Sequence, residues 1–156
     1  MTLSISVQFA ASARHLPSRA QVRRWALAAH AGSAGAGDGM VTIRYVDEKE
    51  GRALNRDFRG KDYATNVLTF VQDVPPVAGR ASPGYAADIA ICAPVIAREA
   101  REQKKAAHDH HAHMVVHGML HAQGLDHEDA TEAAAMEAIE IAVLRRFRIK
   151  NPYETE

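Results

Sequence analysis

The sequence predicts an α+β fold: a small sheet of about four strands packed with about five helices. Three observations predict it. Strand-like and helix-like hydrophobic periods alternate along the chain. Gly, Pro and capping residues mark most of the junctions between them. The length of 156 residues suits one core, with no internal repeat, so residues 1–150 read as a single domain and 151–156 as a frayed tail. Element order alone leaves an α/β sandwich open, and it does not give the strand order.

The elements follow in order. Leu3, Ile5, Val7 and Phe9 alternate with Ser4, Ser6 and Gln8, the period of a strand. Pro17-Ser18 opens a helix to about His30, with Val22, Trp25, Leu27 and Ala28 as core contacts and Arg19, Arg23 and Arg24 turned outward. A Gly/Ala/Ser loop, expected to be mobile, spans 32–39. Met40 to Val46 reads as the second strand. Asp47, with Glu50 three residues on, has capping-box spacing for a helix that runs to about Phe58 and stops before Gly60. Val67 to Val71 is the third strand. Residues 72–84 are rich in Pro and Gly and read as a loop, and Ala87 to Cys92 is the fourth strand. Pro94 suits the first turn of a helix to about Lys105. Two more helices are expected: one over 106–123, the other from Thr131 to Phe147 with Met136, Ile139, Val143 and Leu144 as its buried stripe.

Composition excludes several classes. Apolar residues make up 47% and charged residues 24%, ordinary for a globular domain, and the formal net charge is zero. Any contact with RNA or DNA must therefore rest on a local patch. Cys92 is the only cysteine, so no intrachain disulfide can form, as suits a reducing cytoplasm; it reads as a small buried residue at a strand end. The strand-like alternation at residues 3–9 is not the apolar run of an export signal, and no segment approaches a membrane span in length.

The most telling stretch is His117-Gly118-Met119-Leu120-His121-Ala122-Gln123-Gly124-Leu125-Asp126-His127. On a helix, His117 and His121 leave the same face one turn apart. Gly124 can take the left-handed conformation that ends a helix, and the reversed chain can bring His127 to the same point. Three neutral imidazoles with an open fourth position can hold a catalytic zinc or a similar divalent cation. The competing reading is a His-rich surface helix, since His108, His110, His111 and His113 lie just upstream. A third His beyond a helix-ending Gly favours the metal.

A cation held in this way keeps its full charge, lowers the pKa of bound water toward about 7 and polarises phosphoryl or carbonyl oxygens, so hydrolysis is the expected reaction class. Zinc peptidases of the His-Glu-x-x-His type carry the general base just after the first His, where this chain has Gly118. Asp126 and Glu128 could orient a ligand from behind, although Asp126 equally reads as a turn residue. Arg52, Arg56 and Arg59 share one helix face, and Lys61 follows. Guanidinium groups there could grip phosphate oxygens, with a solvated face as the alternative. Arg98, Arg101 and Lys105 alternate with Glu99 and Glu102 and read as solvent-facing.

Three stretches together resemble the YbeY family of bacterial endoribonucleases. The first is the His117–His127 run. The second is Asn55-Arg56-Asp57-Phe58-Arg59 with Asp62 and Thr65-Asn66-Val67-Leu68-Thr69-Phe70. The third is Ala87-Asp88-Ile89-Ala90-Ile91-Cys92. The resemblance implies a small mixed sheet surrounded by helices. It also implies a single-strand-specific, metal-dependent endoribonuclease acting in 16S rRNA 3′-end maturation and late 70S ribosome quality control, with single-stranded RNA and the ribosome or its small subunit as partners. His117, His121 and His127 take the positions of the zinc ligands, one Zn2+ per chain with Ni2+ or another divalent metal possible. Arg59 takes the position of the arginine thought to act on RNA. The expected catalytic set is therefore Arg59, His121 and Asp126, and the expected substrate-binding set Arg56, Arg59 and Lys61. The chain departs from the family pattern at Leu125 (usually Tyr), Asn66 (frequently Asp) and His110 (often acidic). His113, one turn before His117, could recruit a second cation in excess zinc, but a solvated His face is the preferred reading. A zinc peptidase or other metallohydrolase, or a non-enzymatic assembly factor with structural zinc, is the alternative.

Overall fold

The structure, a computed structural model, describes residues 2–12, 15–33, 37–80 and 83–154. Positions 34–36 of the expected Gly/Ala/Ser loop and 81–82 of the Pro/Gly loop lie outside them. The elements run β1 (Leu3–Phe9), α1 (Arg19–Gly32), β2 (Gly39–Val46), α2 (Glu48–Arg59), β3 (Val67–Gln72), β4 (Tyr85–Cys92), α3 (Ala93–Glu102), α4 (Ala107–Ala122) and α5 (Ala130–Arg145). The sheet order is β1-β2-β4-β3. The β1–β2 and β2–β4 pairs are parallel, and β3 runs antiparallel to β4, so the sheet is mixed as expected.

Register follows from burial. Val41 pairs Ala87, Ile43 pairs Ile89 and Tyr45 pairs Ile91, a central face that is buried throughout. Against it lies α4, which also packs on α1, α3 and α5. Having neighbours on most sides, α4 buries eleven of its sixteen residues and presents no broad solvent-facing stripe. Gly118 permits this close approach. A Cβ there would stand 3.0 Å from Ile89 Cγ2 and 3.4 Å from Val67 Cγ2. The position after the first His of the motif thus faces the sheet, where a larger side chain would have to displace Ile89 or Val67.

Several local expectations change. Asp47 precedes α2 but makes no side-chain cap bond to it; its carboxylate accepts from the Ser12 amide at 3.1 Å instead. Glu50 is drawn into a bidentate pair with Arg44, at 2.7 and 3.0 Å. The capping box stands one helix earlier, where Ser18 and Gln21 cap each other across the start of α1. Leu27 is 44% exposed and is not a core contact. Arg19 and Arg23 do not simply face solvent. They donate to the Val7 and Ile5 carbonyls and so occupy the free edge of β1. Cys92 is buried at the end of β4, as expected. The expected frayed tail is partly docked, through Tyr153.

Candidate metal and phosphate site

Helix α4 carries His113, His117 and His121 at four-residue spacing, so their rings leave one face. The helix closes at Gln123, the Gly124 amide donates to the His121 carbonyl at 3.0 Å, and Gly124 takes φ +96°. The reversal brings His127 back. Ring centroids lie 4.6 Å apart for His117–His121, 5.0 Å for His121–His127 and 5.5 Å for His117–His127. One ring nitrogen from each falls within 4.8 Å of the other two. The Nε2 atoms of His117 and His121 stand 3.1 Å apart. Two imidazoles bound tetrahedrally at about 2.0–2.1 Å place their nitrogens about 3.3 Å apart, so the donor set fits a cation of zinc's size.

Behind His117 lies a group that sequence reasoning missed. Glu140 on α5 is 1% exposed. It accepts from His117 Nδ1–H at 3.2 Å, from His113 Nε2–H and from the Tyr153 hydroxyl at 2.8 Å. Burial alone would push its carboxyl pKa up. Hydrogen bonds from His113 and His117, aided by their charge, overcome this and hold it down to about 2. The carboxylate fixes the His117 proton on Nδ1 and leaves Nε2 free to bind. Burial, and then the charge of Glu140, raises the Tyr153 pKa and keeps that hydroxyl a donor. The signal was available: Glu140 falls four residues after Met136 and four before Leu144, on the buried stripe of α5, and a carboxylate there requires a partner.

The His-rich start of α4 is also not the solvated face that was expected. His110, His111 and His113 are buried, and only His108 of that group is exposed. Burial, then the charges of His110 and His108, pushes the His111 pKa down to about 4. His110 Nε2 donates to Glu99 at 2.8 Å, and Asn66 Nδ2 donates to the same carboxylate at 3.1 Å. Two departures from the family pattern thus meet on one acceptor. An acid at either position would set two carboxylates face to face, whereas the amide and the imidazole donate.

In front of the imidazoles lies a cavity of about 730 Å3, walled by His117, His121, His127, Arg59 and the length of β3. As the last strand in the order, β3 is an open edge. The expected basic face divides. Arg52 is bound bidentately to Asp62 at 2.9 Å, and Arg56 pairs with Asp57 at 3.2 Å. Arg59 lines the cavity and has no carboxylate partner among the described residues. Lys61 is exposed and outside the cavity wall. Asp126 lines the cavity, but its Oδ1 accepts from the His127 amide at 2.7 Å and lies 4.0 Å from His127 Nδ1, the geometry of a turn residue. His121 has a lowered pKa, first through burial and then through the charges of His117 and His127, which favours the neutral form a cation needs.

The family model for endoribonuclease YbeY matches residues 9–148. The chain belongs to the endoribonuclease YbeY family. It is 50% identical over 156 residues to the endoribonuclease YbeY of Thiobacillus denitrificans, covering 98% of this chain and 97% of that one. It is 51% identical to the Aromatoleum aromaticum relative (97% and 92% covered) and 51% identical to that of Bordetella pertussis (97% and 96%). The solution structure of a protein from Thermotoga maritima matches with a TM-score of 0.59 over 97% of both chains at 23% identity, which supports the fold. A metal-dependent activity on RNA is consistent with this family and with the three-imidazole cluster. No helix among the described residues is long and apolar enough to cross a membrane.

Proposed function

We propose that this protein is a metal-dependent endoribonuclease that hydrolyses phosphodiester bonds in single-stranded RNA. The observation that carries the reading is the convergence of His117, His121 and His127 on the wall of an open cavity shared with the unpaired Arg59. These three residues would hold one divalent cation, zinc first, with nickel also suited to imidazole donors. Bound there, the cation would supply Lewis-acid polarisation and an activated water. His117 presents Nε2 because Glu140 holds the proton on Nδ1. Arg59, on the wall of the same cavity, would grip a phosphate oxygen and balance charge that develops on it. Asp126 acts by shaping the turn that presents His127. Arg56 and Lys61 contribute at most long-range attraction for the strand. Gly118, packed against Ile89, carries no side chain and faces the sheet where a helical zinc peptidase has its general base. Family membership supports a cytoplasmic role in 16S rRNA 3′-end maturation and late ribosome quality control, with the ribosome or its small subunit as partner.

The test is metal analysis of purified protein, followed by assays on single-stranded and duplex RNA beside a His121→Ala control. Stoichiometric metal and cleavage of single strands only, abolished in the control, is the expected result. Cleavage that persists in the control assigns the activity to another nuclease.

A further inference from the structure

Phe58 is 67% exposed, among the most exposed large apolar side chains described. It sits in the last turn of α2, beside Arg59, and both line the cavity that holds the imidazoles. Its ring meets Phe70 of the open edge strand at 5.0 Å with an interplanar angle of 63°. Phe70 is partly buried and Val71, next along β3, is 59% exposed. Stability does not explain Phe58, because little of it is removed from water. By contrast Phe9, the aromatic at the opposite sheet edge, is stacked on Tyr45 and covered by the Arg19 guanidinium. Phe58 therefore offers a free aromatic face, held at a fixed tilt by Phe70 and next to an unpaired cation.

An aromatic face beside a guanidinium is the pairing that binds single-stranded nucleic acid: the base stacks and the phosphate is neutralised. Resting on the endoribonuclease reading above, the geometry points to a nucleobase subsite in which an unpaired base stacks on Phe58 against the Phe70–Val71 lip, while its phosphate lies toward Arg59 and the imidazoles. A base must leave a duplex to reach it, so the subsite is a physical source of preference for single strands. The occupant is a base and not an apolar peptide side chain because the patch is continuous with Arg59 and the three-imidazole cluster, which suit a phosphodiester.

The test uses the full-length zinc-loaded protein and a fluorescently labelled 2′-O-methyl oligoribonucleotide, read by anisotropy. Phe58→Ala and Phe58→Leu should weaken binding about five- to tenfold, the lower range for base–aromatic stacking, and Phe58→Trp should restore or tighten it. An abasic nucleotide is then moved along the strand. At one position it should weaken the parental protein by a similar factor and add nothing to Phe58→Ala. Melting temperatures should stay level across the series. If Phe58→Leu binds like the parent, or the Phe58→Ala and abasic losses add in full at every position, the subsite is refuted. So too if an apolar peptide displaces the oligonucleotide from the parent but not from Phe58→Ala. Should the parent neither bind nor cut RNA, the endoribonuclease reading itself fails. If it binds and cuts while Phe58→Ala is unaltered, only the subsite fails.

Discussion

The two sides of the imidazole cluster differ in kind. Behind His117 lies a polar network in which Glu140 accepts from His113, His117 and Tyr153; Glu140 and His113 are 1% and 7% exposed, and Tyr153 closes it from the surface at 41%. In front of the three imidazoles are exposed groups with few partners: Arg59 and Phe58. The contrast teaches a division of labour. With a cation bound as proposed, the buried side would set which ring nitrogen faces it, because a hydrogen bond in low dielectric is strong and leaves the ring no alternative. The open side has few internal partners, as the proposed contact with a large, variable substrate would require. Damage behind the cluster should therefore appear as loss of metal and fold, and damage in front as loss of substrate handling alone.

The largest effect that tests this contrast is at the cluster. His121→Ala should reduce metal content to background, measured by elemental analysis, and abolish cleavage. Next comes the network. Glu140→Ala should cost about 3–5 kcal/mol in denaturant unfolding, since it strands the buried His113 without its carboxylate. It should also weaken metal binding about 10- to 100-fold in competition with a chelator. Glu140→Gln should recover part of the metal affinity, because its amide oxygen can still accept from His117. Metal affinity equal to the parent in Glu140→Ala would merge the two sides. In front, Arg59→Ala should leave metal content and melting temperature unchanged while cleavage falls about 100-fold or more in steady-state kinetics.

A smaller effect concerns pH. His111 is buried with its pKa lowered to about 4, below its free value of about 6.5. Between those values the unfolded chain binds the proton and the folded one does not. The contribution is therefore complete above about pH 6.5 and is lost as pH falls toward 4, about 3 kcal/mol in all. In metal-free protein, His111→Phe should flatten the unfolding free energy across that window relative to the parent. Smallest of all, Arg56→Ala and Lys61→Ala should change cleavage about twofold at most and stability within about 0.5 kcal/mol.

What was legible in the sequence was local. Four-residue spacing and Gly124 placed three imidazoles together, because a helix and its C-terminal turn have few geometries. Alternation at residues 3–9 gave β1, because successive side chains of a strand point to opposite faces. What was hidden was long-range. Glu140 stands 23 positions from His117 and Tyr153 stands 40 from His113, and only the packing of α5 and the tail brings them together. The Asp47 cap failed because Ser12, 35 residues away, took the carboxylate. Burial of His110, His111 and His113 was missed because α4 has neighbours on most sides, so its polar residues carry no amphipathic signature. Of the Arg52/Arg56/Arg59 face, only the structure shows which guanidinium is left without an acid.

X-ray absorption at the zinc edge, on stoichiometrically loaded full-length protein, tests most directly whether one cation sits among these rings. Three imidazole nitrogens and one water oxygen at about 2.0–2.1 Å are predicted, with one nitrogen lost in His127→Ala. A carboxylate- or sulfur-rich shell, or a spectrum unchanged in that variant, would contradict it.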